Sequence, residues 1–186
     1  MLGVYSDSSD ATELERPSNW FAWHAHRIRP GSRVLDLACG TGRHALAAAA
    51  LGGEVTAIDK DGVSLEIGRK EAKARGLDLT WRQVDLEGTW PELGSFDAVL
   101  VFNYLDRKKM PAIISAVGPG GILLAETFLE AQKAFGWGPS SDDHLLRSGE
   151  LNSLVAPLVV LHGREAVEAV DNARWSAMAS VLAQRK

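Results

Sequence analysis

The sequence predicts an α/β fold, a largely parallel sheet flanked by helices and closed at one edge by an antiparallel hairpin. Three observations predict it. Apolar runs of strand length alternate with helical stretches from Arg33 to Thr127, the pattern of crossover units on a parallel sheet. The first run, Val34-Leu35-Asp36-Leu37-Ala38-Cys39-Gly40-Thr41-Gly42-Arg43, passes from a buried strand through a glycine-hinged turn into a helix. The last two apolar runs, Pro157–Leu161 and Ala173–Ala183, have no helix between them, so they pair as a hairpin and make the sheet mixed.

Residues 1–10 read as a flexible tail, and residues 11–186 as a single domain with an N-terminal helical cap over 11–29. Within the cap, Pro17 interrupts the helical pattern of Ala11–Ile28 and a second piece starts at Ser18. Arg33–Ala38 is the first strand. Gly42–Leu51 is an alanine-rich helix ended by Gly52-Gly53. Glu54–Ile58 is a strand closing on Asp59, and Val63–Arg75 is a helix with Gly76 at its C-terminus. Leu79–Val84 is a strand closing on Asp85, and Phe96–Phe102 is a strongly apolar strand. Arg107–Val117 is a helix stopped by Gly118-Pro119-Gly120-Gly121, and Ile122–Thr127 is the next strand. Asp142–Leu154 holds a short helix starting near Ser148.

Composition narrows the function. A chain of 186 residues that is 46% hydrophobic and 24% charged can bury one full core. The net charge is −4 with no basic block, which argues against a nucleic-acid partner held by bulk charge. The one cysteine, Cys39, excludes an internal disulfide and a cysteine-based zinc cluster, and no metal site is expected. No apolar stretch has bilayer-spanning length, and Met1 to Asp10 is polar, unlike a secretory signal. The expectation is a cytoplasmic protein, monomer or homodimer, with a small-molecule partner and no membrane.

Open parallel sheets bind ligands beyond the C-terminal ends of their strands. Three of the first four strands close on an aspartate, Asp36, Asp59 and Asp85, and the fourth on Phe102-Asn103-Tyr104. Asp59 stands about twenty residues past the glycine turn, where a carboxylate accepts from two ribose hydroxyls. Asp85 can accept from an adenine amine; for both Asp59 and Asp85 the alternative is to cap a helix that follows the strand. Asp36 repels a pyrophosphate and attracts a cation. Gly40-Thr41-Gly42-Arg43-His44-Ala45 also fits the dinucleotide fingerprint. Asp36, and the lack of sequence for a separate substrate domain, favour S-adenosylmethionine over NAD.

These residues resemble those of class I S-adenosylmethionine-dependent methyltransferases. The likeness rests on Leu35 to Gly42, Ala57-Ile58-Asp59, Val84-Asp85-Leu86, Phe96 to Val101 and Gly118 to Gly121, and runs from about Arg33 to Ala183. It implies a Rossmann-like three-layer sandwich with a mixed seven-stranded sheet in the order 3-2-1-4-5-7-6, strand 7 antiparallel. The cofactor-binding set it implies is Asp36, Ala38, Gly40, Gly42, Arg43, Asp59, Lys60, Asp85, Leu86 and Asn103. The cofactor is S-adenosylmethionine and the product S-adenosylhomocysteine. Arg43-His44, Ala125 to Phe128 and Leu145 to Leu151 are similar to small tellurite-resistance and thiopurine-type bacterial methyltransferases. The chain has Phe102-Asn103-Tyr104-Leu105 where nucleobase-amine methyltransferases carry Asn/Asp-Pro-Pro-Tyr, which disfavours base-amine methylation.

The expected activity is in-line methyl transfer to a small molecule or oxyanion, with a protein or RNA methyltransferase and a non-catalytic binding module as alternatives. Tyr104 and Arg147 are the candidate catalytic residues. Trp20, Tyr104, His144 and Arg147 are the candidate substrate contacts, Arg147 as a partner for an anionic acceptor. Trp20 and Trp23 also read as core, and His24 and His26 as structural or solvated. Trp137, between Gly136 and Gly138, marks a mobile aromatic loop.

Overall fold

The computed structural model describes residues 16–90, 92–170 and 174–186. The expected tail, residues 1–10, and the start of the cap lie outside them. The elements are α1 (Asn19–His24), β1 (Arg33–Leu37), α2 (Arg43–Ala50), β2 (Glu54–Asp59), α3 (Gly62–Ala74), β3 (Thr80–Gln83), β4 (Phe96–Phe102), α4 (Met110–Ala116), β5 (Val117–Phe128), α5 (Glu150–Leu154), β6 (Val159–Ala169) and β7 (Trp175–Gln184). The seven strands form one sheet in the order β3-β2-β1-β4-β5-β7-β6. Strands β1 to β5 pair in parallel, and β7 runs antiparallel to both β5 and β6. This is the three-layer, Rossmann-like arrangement the sequence implied.

Both faces of the central strands are covered, which is why β1 and β4 read as continuous apolar runs. On one face Val34, Leu100 and Leu124 pack with Trp20 and Phe21 of α1, Ala45 and Ala48 of α2 and Leu65 of α3. On the other, Leu35, Leu37, Val99, Val101 and Leu123 pack with Met110, Ile113 and Ile114 of α4 and Leu151 of α5. Alanine gives α2 both its helix propensity and a slim flank that lets it lie close to the sheet. Asp61 caps α3 by accepting from Val63 N–H at 3.0 Å.

Two boundaries differ from expectation for physical reasons. The Gly118–Gly121 run does not stop a helix; it is the first part of β5. A Cβ at Gly118 would sit 2.6 Å from Ser95 Oγ, and one at Gly121 2.8 Å from the Phe96 carbonyl oxygen. The glycines therefore let β5 close onto the start of β4. Strand β6 runs to Ala169, well past the expected Leu161. It is the sheet's edge, and most of its residues are exposed. Its charged residues hide the strand from a search for apolar runs.

Candidate functional site

The strand order reverses between β1 and β4, so the loops leaving these strands diverge and open a crevice. A cavity of about 640 Å3 lies there, at the C-terminal ends of β1 to β5. Ala38 follows β1, Asp59 and Lys60 end β2, and Leu86 and Glu87 follow β3. Asn103 to Lys108 follow β4, and Thr127 and Phe128 end β5. Pro139, Asp143 and His144 close the far side from the connection to α5.

The glycine turn is built for close approach. Ala38 and Gly40 have φ of 55° and Gly42 83°. A Cβ on Gly40 would meet nothing within 4 Å, so that backbone is open to a ligand. Asp59 Oδ2 accepts from Gly40 N–H at 2.7 Å and Oδ1 from Asp61 N–H at 2.9 Å. The carboxylate is thus fixed in orientation while each oxygen keeps a free lone pair. Asp36 is buried on the α2 side, and its Oδ2 has no hydrogen-bond partner. Burial pushes its pKa up to about 7, against the pull of a backbone N–H from Ala45 and the charge of Arg43. An orphaned buried carboxylate beside an open glycine backbone fits a ligand that carries a cation close to a nucleoside.

At the other end, Asn103 holds φ of 56° and its N–H donates to the Glu126 carbonyl at 2.8 Å, joining the β4 and β5 ends. The Tyr104 hydroxyl is buried and unpartnered. Burial, then Asp106, Glu87 and Asp85, push its pKa up to about 12, so it keeps its proton at neutral pH. Arg107 forks onto Glu150, with Nε to Oε1 at 2.6 Å and Nη2 to Oε2 at 2.9 Å. That pair holds the Glu150 carboxyl down at about 2. Among the described residues no group of three or more His, Cys, Asp and Glu side chains is arranged to hold a metal ion.

The cavity brings together Ala38, Asp59, Lys60, Leu86, Asn103, Tyr104 and His144 of the expected set; Gly40 adjoins it through its N–H to Asp59, and Asp36 is buried outside its lining. Others fall elsewhere. Gly42 faces away from the cavity: a Cβ there would lie 2.5 Å from Trp81 Cη2, so it serves the packing of α2 on that ring. Asp85 is exposed, and its Oδ1 accepts from Glu87 N–H at 2.9 Å, so it secures a turn and not the start of a helix. Arg43 opens α2 and reaches the Arg16 carbonyl.

Trp20 is corrected from substrate contact to core. It is fully buried, and its indole N–H donates to the Val181 carbonyl at 3.2 Å. Arg147 is corrected too. Its side chain is 74% exposed, outside the cavity lining, with Nε 3.7 Å from Glu150. The arginine that does line the cavity is Arg107. Trp137 is tied down: its indole N–H donates to the Trp175 carbonyl at 2.8 Å, and Phe128 meets it edge-on.

His44 has a role the sequence did not suggest. It stacks on Phe102 at 3.8 Å and accepts from Ser18 N–H at 3.2 Å, pinning the cap to α2 and β4. Burial pushes its pKa down to about 2, so it stays neutral. His24 is buried between the Trp20 carbonyl and His162, at 2.9 Å from each, so it is structural. The wall residues Leu105 to Lys108, Phe128, Pro139 and Asp143 were also missed. They carry no motif, and only their place after strand ends marks them.

Comparison with known proteins agrees with this geometry. Residues 34–121 match the family model of a methyltransferase domain. The chain is 32% identical over 128 residues to the ubiquinone biosynthesis O-methyltransferase of Methylocella silvestris, covering 66% of this chain and 50% of that protein. The chain thus spans half the length of that relative. TehB of Haemophilus influenzae superposes with a TM-score of 0.74 at 21% identity, covering 95% of this chain and 64% of that one. A SAM-dependent methyltransferase of Methanosarcina mazei gives 0.70 at 16% identity, covering 92% of this chain and 99% of that one.

Proposed function

We propose that this chain, whose residues 34–121 match the model of a methyltransferase domain, is a class I S-adenosylmethionine-dependent methyltransferase that moves a methyl group from that cofactor to a small hydroxyl- or oxyanion-bearing molecule. One observation carries the reading. A single cavity runs from an oriented carboxylate, Asp59 held by the Gly40 N–H, to an end walled by Tyr104, Leu105 and Phe128. When bound, the cofactor supplies a sulfonium-activated methyl group, so the protein's work is alignment and exclusion of water.

Asp59 is suited to accept from the two ribose hydroxyls, since its geometry is already fixed by Gly40 and Asp61. Leu86, beside Lys60 and Glu87, offers an apolar surface for the base. Asp36 is suited to the ammonium group, with one oxygen unfilled. Ala38, Gly40 and Asn103 give backbone at that end. Asp85 is left to secure the turn that carries Leu86.

At the acceptor end, the Tyr104 ring forms part of the wall, its hydroxyl lying buried behind it. Phe128 and Leu105 keep water out. His144, from the opposite wall, is placed to take a proton from a hydroxyl acceptor; an oxyanion needs no base. The cavity's volume suits a small molecule, and the O-methyltransferase likeness supports an oxygen acceptor.

The test is release of S-adenosylhomocysteine from S-adenosylmethionine with 3,4-dihydroxybenzoate, a simple thiol and tellurite as acceptors. Release above the acceptor-free blank with an oxygen acceptor is expected. Binding of the cofactor with no release for any acceptor would leave a binding module in place of an enzyme.

A further inference from the structure

The wall facing the sheet at the acceptor end comes from the connection between β5 and α5. Two ties hold it. The first is main chain: an isolated parallel bridge pairs Leu129 with Leu146, Glu130 N–H donates to the Leu146 carbonyl, and Leu146 N–H to the Phe128 carbonyl, both at 2.9 Å. Leu145 and Leu146 are fully buried beneath it. The second is Arg107. Besides both oxygens of Glu150, its guanidinium reaches the Asp143 carbonyl at 3.0 Å and the Leu145 carbonyl at 2.8 Å. Glu150, the first residue of α5, also accepts from Arg147 N–H at 2.9 Å.

Arg107, the Asp143 it grips, and His144 between its two gripped carbonyls line the cavity. Glu150 does not. Its carboxylate is 12% exposed and meets the fork of Arg107 face on, a planar match that a lysine ammonium cannot make.

We propose that Glu150 is a positioning residue: by locking the fork of Arg107 it holds Asp143 and His144 as the acceptor-side wall, and it governs acceptor recognition without governing cofactor affinity. The proposal rests on the methyl-transfer reading of the cavity. Without the fork, the Asp143 and Leu145 carbonyls lose their donor, and the segment nearest the cavity keeps the main-chain bridge on one side and the Glu165 bonds to Ser148 and Gly149 on the other. The cofactor end, built on Gly40, Asp59 and Leu86, shares no residue with this clamp.

The full chain carrying Glu150→Gln tests it, because glutamine keeps the shape and removes the charge that orients the guanidinium. Hydrogen exchange of the amides over 142–147 should quicken by about fivefold or more. Affinity for S-adenosylhomocysteine, read by calorimetry, should stay within about twofold. With 3,4-dihydroxybenzoate as probe, the acceptor KM should rise about tenfold with little change in kcat. Arg107→Lys keeps a charge opposite Glu150 but loses the fork and the donors to the Asp143 and Leu145 carbonyls, so exchange over 142–147 should quicken at least as much as in Glu150→Gln.

Unchanged exchange in Glu150→Gln, or a loss of S-adenosylhomocysteine affinity that follows the loosened wall, overturns the proposal. Failure of the parent protein to bind S-adenosylhomocysteine would instead overturn the cofactor reading, with the exchange result still judging the clamp. If the probe does not turn over, exchange and affinity decide the matter.

Discussion

Asp36 is 1% exposed, and one of its oxygens has no hydrogen-bond partner. Burial raises its pKa from 3.8 to about 7, and the sign of the consequence follows. Between these values the unfolded chain releases the proton and the folded chain keeps it, so stability declines as pH rises from about 4 to about 7. A cation bound beside Asp36 favours the ionised form and must drive the proton off. S-adenosylhomocysteine affinity should therefore weaken below pH 7, approaching about tenfold per pH unit. Calorimetry in buffers of different ionisation enthalpy should detect proton release at pH 6. In Asp36→Asn that dependence should vanish, and the ligand-free protein should melt higher at pH 8, because a buried unpaired charge has gone. A pH-independent affinity in the parent would remove Asp36 from the cofactor's charge. The strand-end aspartates were legible in the sequence because a parallel sheet gathers strand ends on one edge. Which of them keeps an unfilled oxygen was not, because that depends on Ala45 and Glu87 N–H groups contributed by the folded backbone.

At the scale of elements, close contacts set where glycine occurs. Trp81 on β3 lies under both α2 and α3, and a Cβ on Gly68 of α3 would stand 2.5 Å from its Cη2 and 2.7 Å from the Thr41 carbonyl oxygen. Helix propensity alone predicts that Gly68→Ala stabilises by up to about 1 kcal/mol. The contact predicts the opposite sign, a net loss of about 1–3 kcal/mol from overpacking. Chemical denaturation measures it directly, and Trp81→Leu in the same chain should recover much of the loss by making room. A Gly68→Ala variant more stable than the parent would show that α3 can move off the ring. Such contacts explain what the sequence hid. Gly42 before α2 and the glycines that open β5 look like turn formers when read locally; they are also required by neighbours far along the chain. Pairing at a long edge strand is likewise set by β7, since the charged residues of β6 show no apolar periodicity.

Across the whole molecule, strand order follows from chain order and handedness, which made it legible. Right-handed crossovers place β2 and β3 on one side of β1, and β4 and β5 on the other. The crevice at that reversal lies over the loops of five strands, so a ligand there ties together parts of the sheet remote in sequence. Of the acceptor wall only His144 was legible; Pro139 and Asp143 arrive from a long connection whose path is set by Arg107 and the Leu129–Leu146 bridge. A ligand that bridges these loops binds only the folded state, and its effect on melting is fixed by mass action. At a hundred times its dissociation constant, S-adenosylhomocysteine should add about 2.7 kcal/mol. For a chain of this length that raises the melting temperature by about 5–10 °C. NAD at the same concentration should leave it unchanged, because its pyrophosphate would meet the carboxylate end of the crevice. Asp59→Ala should shrink the S-adenosylhomocysteine shift while altering the ligand-free melting point little, since its two backbone donors sit at the open edge where water can replace the carboxylate. A larger shift with NAD than with S-adenosylhomocysteine would reverse the cofactor assignment and would reopen the dinucleotide reading of Gly40 to Ala45.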